Sequence, residues 1–246
     1  KLWIGLATLL IASFAVLLWV GSETYRQAPP MPEQVVSTDG KVIYTRKDIE
    51  TGRQVWQSIG GQQLGSIWGH GGYVAPDWGA DWLHREAEAI LDLWAKRDTG
   101  ADSYKTLDEA TQAAYAKRVQ SLLRPNTYDA ATGTITVDAD RAQAMAQVAD
   151  HYQRLFGHDP STAELREAYA MRNDTVADAE HRRQLTAFYW WASWASVTER
   201  PGSEITYTAN WPHDELVGNT PASNLLIWTV FSVLFLIAGI GLLGWH

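Results

Sequence analysis

The strongest constraint in this sequence is the placement of two long uncharged stretches, one at each end of the chain. Neither Leu2–Gly21 nor Leu216–Trp245 contains a charged side chain, and the most apolar part of the second runs from Leu225 to Leu243. A helix rises about 1.5 Å per residue, so about 20 residues cross the apolar core of a bilayer. Each stretch is therefore long enough to form one membrane-spanning helix.

Tryptophans mark the ends of both stretches. Trp3 and Trp19 flank the first, and Trp228 and Trp245 lie near the ends of the second. Indole rings favour the headgroup level of a bilayer, so their placement supports both membrane helices. The alternatives are a cleaved signal peptide for the first stretch and a buried core helix for the second. The length of both stretches, and the absence of a small-residue cleavage pattern before Glu23, argue against them.

Two crossings place both chain ends on one side of the membrane and the intervening domain on the other. Lys1 indicates a cytoplasmic N-terminus only weakly, because long domains cross a membrane largely regardless of charge. We therefore expect the domain outside the cytoplasm. The chain has 28 acidic and 20 basic residues, so nucleic acid and anionic lipid are not expected as partners of this domain.

The chain contains no cysteine. This excludes disulfides, thiolate zinc sites, iron–sulfur clusters and haem attached through thioether bonds, whatever the compartment. The HExxH, GxSxG and Walker signatures of hydrolases and nucleotide-binding proteins are also absent from the sequence.

Between the apolar stretches, the residue pattern predicts a mainly α domain with small β-hairpins. Strands Gln34–Ser37 and Lys41–Tyr44 flank the turn at Asp39-Gly40, and Thr134–Val137 forms another short strand. Capping boxes are expected at Thr106–Glu109 and Ser161–Glu164. The predicted helices span residues 48–57, beginning at a capping Asp48, and residues 81–97, 107–123, 139–156, 163–171 and 177–196.

The segment Gly60–Gly79, which we name the glycine loop, carries seven glycines among its twenty residues. Its backbone can approach another group closely, because glycine has no Cβ. A second polar grouping, His84, Glu86 and Glu88, is predicted to be a solvated face, since residues two apart point to different sides of a helix. The aromatic run Phe188–Trp194 predicts a helix that meets the membrane interface.

Several segments resemble the quinol-dependent nitric oxide reductases. Those that resemble the N-terminal part of these enzymes are Tyr189–Trp191, Thr198–Gly202, Tyr207–His213 and Val217–Asn219. Those that resemble the cytochrome c subunit of the related two-subunit enzyme are Gly52–Gln57 and Gly69–Pro76. Together these segments extend the resemblance over essentially the whole chain.

In that cytochrome subunit, a CxxCH haem-attachment motif lies between the two upstream segments. When both segments are held in register without a gap, the cysteine and histidine positions fall on Gly61, Leu64 and Gly65. None of these residues can bind haem. The quinol-dependent enzymes are fusions in which this domain has lost its haem, and the absence of cysteine agrees with that interpretation.

The resemblance implies a membrane quinol:nitric oxide oxidoreductase in the bacterial inner membrane. Such enzymes reduce two nitric oxide molecules to nitrous oxide and water at a haem b3 and non-haem iron centre, with electrons from quinol passing through haem b. The ligands of these groups belong to later membrane helices. The resemblance therefore gives this portion a structural, capping role with no catalytic residues, between the bilayer and the downstream catalytic helices, and leaves a homodimer open.

The expected organisation has four parts, with the soluble part on the periplasmic or extracellular face. They are a transmembrane helix at residues 1–21, a linker at 22–32, a cytochrome c-like domain without haem at 33–215, and a transmembrane helix at 216–246 that begins the catalytic unit.

One metal site is also implied by the resemblance. In the two-subunit relatives, a calcium ion between haem propionates takes ligands from the glycine loop, which correspond here to the backbone carbonyl of Gly71 and to Tyr73. Oxygen donors suit calcium. The alternative is a direct contact between the loop and a propionate.

A receptor is the competing interpretation, because sensor kinases and chemotaxis receptors also hold an extracytoplasmic domain between two membrane helices. The glycine loop and the aromatic run favour the reductase, since a sensor requires neither of them.

Overall fold

The computed structural model describes residues 2–221 and 223–245. Helix accounts for 61% and strand for 8%, so the predicted mainly α fold with a small sheet is confirmed. Lys1, which entered the topology argument, and His246 lie outside the described residues, as does Ala222.

The helices and strands follow the predicted order along the chain. The helices are α1 (Leu2–Arg26), α2 (Arg46–Ser58), α3 (Trp78–Thr99), α4 (Glu109–Leu123), α5 (Ala139–Leu155), α6 (Ala163–Ala168), α7 (Ala179–Val197) and α8 (Ser223–Trp245). The strands are β1 (Gln34–Ser37), β2 (Val42–Thr45), β3 (Tyr128–Asp129) and β4 (Thr134–Val137). Short 3-10 turns occur at Gly61–Gln63, Tyr104–Thr106 and Pro160–Thr162.

Within the described residues, two helices are long and apolar enough to cross a membrane, Trp3–Arg26 and Ile227–Trp245. The rest of the protein buries neither of these windows, so their apolar side chains have no protein cover among the described residues. Exposed apolar surface of this extent is typical of a membrane protein. The first helix continues beyond its predicted end at Gly21, whereas the second begins at Ser223, later than the predicted residue 216.

The four strands form one sheet in the order β2-β1-β4-β3. Strands β1 and β2 form the predicted antiparallel hairpin, and Gly40 in its turn adopts a positive φ of 84°. Strand β4 pairs in parallel with β1 and antiparallel with β3. Val35 and Ile135 lie opposite each other at the centre of the sheet, and both are fully buried.

Helices α5 and α6 begin at the predicted residues, Ala139 and Ala163, whereas other helix beginnings differ from those predicted. Helix α2 starts earlier, because Thr45 is its N-cap and forms a capping box with Asp48, which is the third helical residue rather than the cap. The capping boxes predicted at Thr106 and Ser161 are wrong. Each of these hydroxyl residues lies in a 3-10 turn, and aspartates supply the caps there instead, since Asp108 caps α4 and Asp159 caps the turn before α6.

Helix α7 forms the centre of the domain. Every residue from Gln184 to Val197 is buried, because α2, α3 and α5 pack around this helix. A helix that is apolar on all sides is a core helix. The prediction that Phe188–Trp194 meets the membrane interface is therefore wrong, since other helices of the same domain cover these aromatic side chains.

The domain has two packed cores. The first, which we name the aromatic cluster, is dominated by large rings around α7: Trp56, Trp78, Trp82, Tyr152, Phe156, Phe188, Tyr189, Trp190, Trp191 and Trp194. The second, the aliphatic cluster, lies between α3 and α4 and includes Leu83, Ala87, Ile90, Leu91, Val119, Leu123, Val197 and Val217. Helix α3 contributes side chains to both cores.

Candidate functional site: the glycine loop and its surroundings

A single buried carboxylate organises the glycine loop. Asp77, the N-cap of α3, accepts hydrogen bonds from Ala80 N at 2.9 Å, from Ser66 Oγ at 2.7 Å and from Gly69 N at 2.7 Å. Ser66 Oγ in turn accepts from Gly71 N at 2.7 Å. Burial raises the pKa of the Asp77 carboxyl, although the three hydrogen bonds act against that rise. The network holds the loop in one conformation.

Two tryptophans fill the space beside Gly65. Trp56 Nε1 donates to Gly65 O at 3.1 Å, and the Trp78 ring lies against the other side of this residue. A Cβ at Gly65 would lie 2.5 Å from Cε2 of Trp78 and 2.8 Å from Pro76 O. Any side chain at this position would therefore have to displace the Trp78 ring or the loop backbone.

The positions that correspond to the haem-attachment motif do not fit a haem. Gly61 and Leu64 offer no ligand, and Gly65 has no room for one. The adjoining interior is occupied, because Trp78 stacks on Tyr189 with ring centroids 5.5 Å apart and meets Phe156 edge-on at 5.3 Å. The aromatic cluster thus fills the space beside the glycine loop with protein.

The predicted calcium ligands lie at an exposed part of the loop. Gly71 has a positive φ of 87°, and Tyr73 is fully exposed with its neighbour Val74 half-exposed. No group of three or more histidine, aspartate or glutamate side chains in residues 2–221 and 223–245 is placed to hold a metal. The nearby Asp77 carboxylate is occupied by the loop's own donors. Calcium binding by Gly71 and Tyr73 stays a prediction.

The structure brings the glycine loop together with the Trp-Pro-His segment before α8. The rings of His70 and Trp211 are 5.6 Å apart, and Trp211 is 6.0 Å from His213. Trp211 is half-exposed and His70 is exposed, so this aromatic group faces outward. The sequence did not predict this contact, because the two segments are far apart in the chain.

Buried amides fasten that segment to the end of α7. Asn219 Nδ2 donates to Asn210 Oδ1 at 2.9 Å and to Ser196 O at 3.2 Å, and Asn210 Nδ2 donates to Ser196 Oγ at 3.0 Å. Both asparagines are nearly inaccessible. Satisfied buried networks of this kind hold a segment in a defined position. The chain therefore leaves the domain toward α8 from a fixed point.

His84 links α3 to the same segment. Its Nδ1 lies 2.8 Å from Asp214 Oδ2, and its Nε2 lies 3.3 Å from Glu88 Oε1, which Lys105 also contacts at 2.5 Å. The hydrogen bond to Asp214 raises the pKa of His84. A protonated imidazole can donate to both carboxylates at once, whereas a neutral one can donate to only one. The protonated form is therefore favoured at this position.

Glu86, by contrast, is completely buried, so its predicted place on a solvated polar face is wrong. Its carboxylate accepts hydrogen bonds from Arg141 Nε at 2.7 Å and from Trp82 Nε1 at 2.8 Å. The reason is tertiary, because Arg141 on α5 supplies the partner that makes burial of this charge tolerable. No local sequence signal marks that partner.

These features define a class of protein: a mainly helical domain, with a glycine-rich loop packed on an aromatic core, attached to two candidate membrane helices. The family model for the cytochrome c-like domain of the nitric oxide reductase protein NorB matches residues 32–213. Because the match covers well over half of the chain, the chain belongs to this family of membrane-bound oxidoreductases. No curated protein matches the chain in a comparison of sequences. The family match supports the reductase interpretation, and it gives the receptor alternative no support.

Proposed function

We propose that this chain is the N-terminal portion of a quinol-dependent nitric oxide reductase, in which a haem-free cytochrome c-like domain caps the catalytic membrane unit. The observation that carries the proposal is the packing at Gly65, where the Trp78 ring occupies the space that a haem-ligating side chain would need. The chain has no cysteine, and rings fill the described space beside the glycine loop, so this domain offers no c-type haem that could accept electrons from a soluble cytochrome. Both observations support electron entry from the membrane, where quinol is dissolved.

The redox groups of the proposed enzyme lie outside this chain. Haem b, haem b3 and non-haem iron, held by later membrane helices, supply the two-electron, two-proton reduction of two nitric oxide molecules to nitrous oxide and water. The residues of this domain have a positioning role. The amides around Asn219 fix where the chain leaves the domain, and α8 then begins the catalytic unit.

The proposal also assigns the orientation in the membrane. The domain at 33–215 lies on the periplasmic or extracellular face of the bacterial inner membrane, and the candidate membrane helices are α1 (Leu2–Arg26) and α8 (Ser223–Trp245) rather than residues 1–21 and 216–246. Because α1 continues through Arg26, it includes the start of the linker expected at 22–32. Partners in the proposal are the bilayer, the downstream catalytic helices and, as an open option, a second copy of the chain.

The spectrum of the full-length gene product purified from membranes tests the proposed function. We expect b-type haem bands, no c-type haem after denaturation and extraction, and nitric oxide consumption that reduced quinol supports. A soluble reduced cytochrome c offered instead of quinol should support no comparable rate. Covalently bound haem, or consumption supported by cytochrome c alone, would contradict the proposal.

Calcium at the loop is a separate part of the proposal. We expect Tyr73→Phe to lower the calcium content of the purified full-length protein if Tyr73 is a ligand, while Tyr25→Phe, another highly exposed tyrosine, leaves it unchanged. An unchanged calcium content in both variants, or none in the wild type, would favour direct contact between the loop around Gly71 and a haem propionate.

A further inference from the structure

A cavity of about 520 Å³ lies where α1 leaves its apolar stretch and meets the domain. Trp19, Val20 and Gln27 form one wall, and Trp68 and Arg200 stand opposite. This space has no role in the proposed reduction of nitric oxide. The ligand that suits it follows from the cavity walls alone and does not depend on the proposed use of quinol.

The walls of the cavity change from apolar to polar along α1. Trp19 and Val20 belong to the uncharged stretch, whereas Glu23 is the first charged residue after it. The cavity therefore spans the level at which the hydrocarbon core of a bilayer gives way to its headgroups. A ligand that fills both parts must have an apolar body and a polar head.

Arg200 brings a positive charge to the polar end. Its terminal nitrogens donate to Gln27 Oε1 and, at 2.9 Å, to Tyr207 O, which holds the guanidinium between α1 and the domain. In the described part of the chain no carboxylate forms an ion pair with it, because the adjacent Glu199 is paired with Arg124 at 2.7 Å. A guanidinium has five N–H donors, so donors on both terminal nitrogens remain after these two bonds.

Glu23, the acidic residue in the cavity wall, does not neutralise Arg200. Its carboxylate lies 3.1 Å from Arg26 Nη1 and also accepts from Gln27 Nε2. An unpaired guanidinium with free donors is the residue type that best recognises phosphate oxygens. A single such site does not depend on the negative charge of the whole domain, because exposed charges farther than about 10 Å are screened.

We propose that this cavity binds a membrane phospholipid, with the phosphodiester against Arg200 and the acyl chains along Trp19 and Val20. The lipid bilayer is the one source of such molecules at this level, and its lipids are in large excess there. The bound lipid would fill the wedge between α1 and the domain and so hold the domain at a defined height above the membrane.

The test uses the full-length protein, stripped of lipid in a maltoside detergent. Dioleoyl phosphatidylcholine is added back, and a digalactosyl lipid with the same chains but no phosphate is the comparison. We expect native mass spectrometry to show one retained phosphatidylcholine and little retained glycolipid. We also expect a higher unfolding temperature with phosphatidylcholine than with the glycolipid.

Variants locate the site. Arg200→Gln should weaken phosphatidylcholine binding by about tenfold or more, since it removes a charge-assisted contact with phosphate. Arg53→Gln is the matched control, because it removes a positive charge from an exposed position of the domain outside the cavity wall, and it should change binding little. Trp19→Ala, at a highly exposed position where folding is not at stake, should weaken binding several-fold.

Four outcomes would overturn the proposal. Equal weakening by Arg53→Gln and Arg200→Gln would indicate general surface electrostatics. Equal retention of the glycolipid would indicate an apolar groove without phosphate recognition. Displacement of the phospholipid by an uncharged quinol analogue would assign the cavity to quinol. Retention of neither lipid by the wild type would show that another part of the protein covers this wall. Thermal unfolding without added lipid shows whether Arg200→Gln is folded. If it is not folded, Trp19→Ala replaces it as the variant that tests the site.

Discussion

The two ends of helix α3 lie in different kinds of interior. At its beginning, Trp78 and Trp82 enter the aromatic cluster, where buried polar groups accompany the rings. Toward its end, Ile90 and Leu91 enter the aliphatic cluster, and the indole of Trp94 reaches out to Asp140 at 2.6 Å. One helix therefore depends on two sources of stability. Polar pairing occurs at both ends, but large rings dominate the interior at the beginning of the helix, whereas aliphatic side chains make up most of the interior at its end.

The difference between the two cores bears on the candidate site, because the site lies next to only one of them. The glycine loop rests on the aromatic cluster. Among the described residues, several polar atoms buried in or beside that cluster have no hydrogen-bond partner, namely Trp78 Nε1, Tyr189 Oη, Trp190 Nε1, Ser193 Oγ and Trp194 Nε1. A buried polar atom without a partner costs free energy, so these atoms reduce the net gain from burying the rings.

The largest expected effect is at the buried ion pair of the aromatic side. Arg141→Met leaves the Glu86 carboxylate buried without its partner and should lower the free energy of unfolding by about 3–5 kcal/mol. Denaturant unfolding of the full-length protein in detergent measures this loss. The control is Arg97→Met at the other end of α3, where the pair with Asp140 is half-exposed and should contribute at most about 1 kcal/mol.

A double variant distinguishes the destabilising effect of an unpaired buried charge from the effect of lost packing. Glu86→Gln combined with Arg141→Met removes both charges and should recover a large part of the lost stability. If the double variant is no more stable than Arg141→Met alone, packing rather than charge accounts for the loss.

A smaller effect is expected where the glycine loop meets the same cluster. Gly65→Ala should lower the free energy of unfolding by about 1–3 kcal/mol, because the added Cβ collides with Trp78 and Pro76 O. In the Trp78→Phe background the smaller ring should reduce that loss. A double-mutant cycle measures the coupling between the two positions. Additive effects would show that the two residues do not share this space.

The aliphatic cluster should tolerate a change of shape at constant volume. Leu91→Met is expected to cost less than about 1.5 kcal/mol, because an unbranched chain of similar volume can fill the same interior. Thermal unfolding next to Leu91→Ala, for which a loss of about 2–5 kcal/mol is expected, measures the contrast. A Leu91→Met variant as unstable as Leu91→Ala would show that shape matters equally in both cores.

The smallest effects concern pH, and two histidines should act in opposite directions. His84 has its pKa raised by the hydrogen bond to Asp214, so it stabilises the fold fully below about pH 6.5, and this contribution is lost as pH rises through the raised pKa. Burial and the nearby Arg85 lower the pKa of His151, so the fold loses stability as pH falls below about 6.5, where the unfolded chain binds that proton more readily.

Unfolding temperatures of the full-length protein between about pH 5 and pH 9 check both signs. His84→Gln should reduce the decrease in unfolding temperature on the alkaline side. His151→Gln should reduce the decrease in unfolding temperature on the acid side. His181→Gln, at an exposed position, serves as the reference profile. If the profiles of His84→Gln and His151→Gln match the wild type across this range, neither histidine contributes to the pH dependence of stability.

Much of the fold was accessible from local patterns in the sequence. The two candidate membrane helices, the hairpin at Gly40 and the approximate extents of α3, α4, α5 and α7 follow from periodicity, turn chemistry and runs of uncharged residues. The absence of thioether-attached haem follows from composition, because the chain contains no cysteine. These features depend on residues close together in the sequence or on composition alone.

Only the tertiary structure decided where side chains are buried and paired. The sequence by itself determined that Phe188–Trp194 is helical and aromatic, but α2, α3 and α5 decided that it forms the core rather than a membrane interface. In the same way, Glu86 was expected at the surface but is buried, because it pairs with Arg141. The Trp78 ring occupies the space beside Gly65. The physical reason is that burial and pairing depend on residues distant in the sequence, and a local pattern does not specify which of those residues will pack against a given side chain.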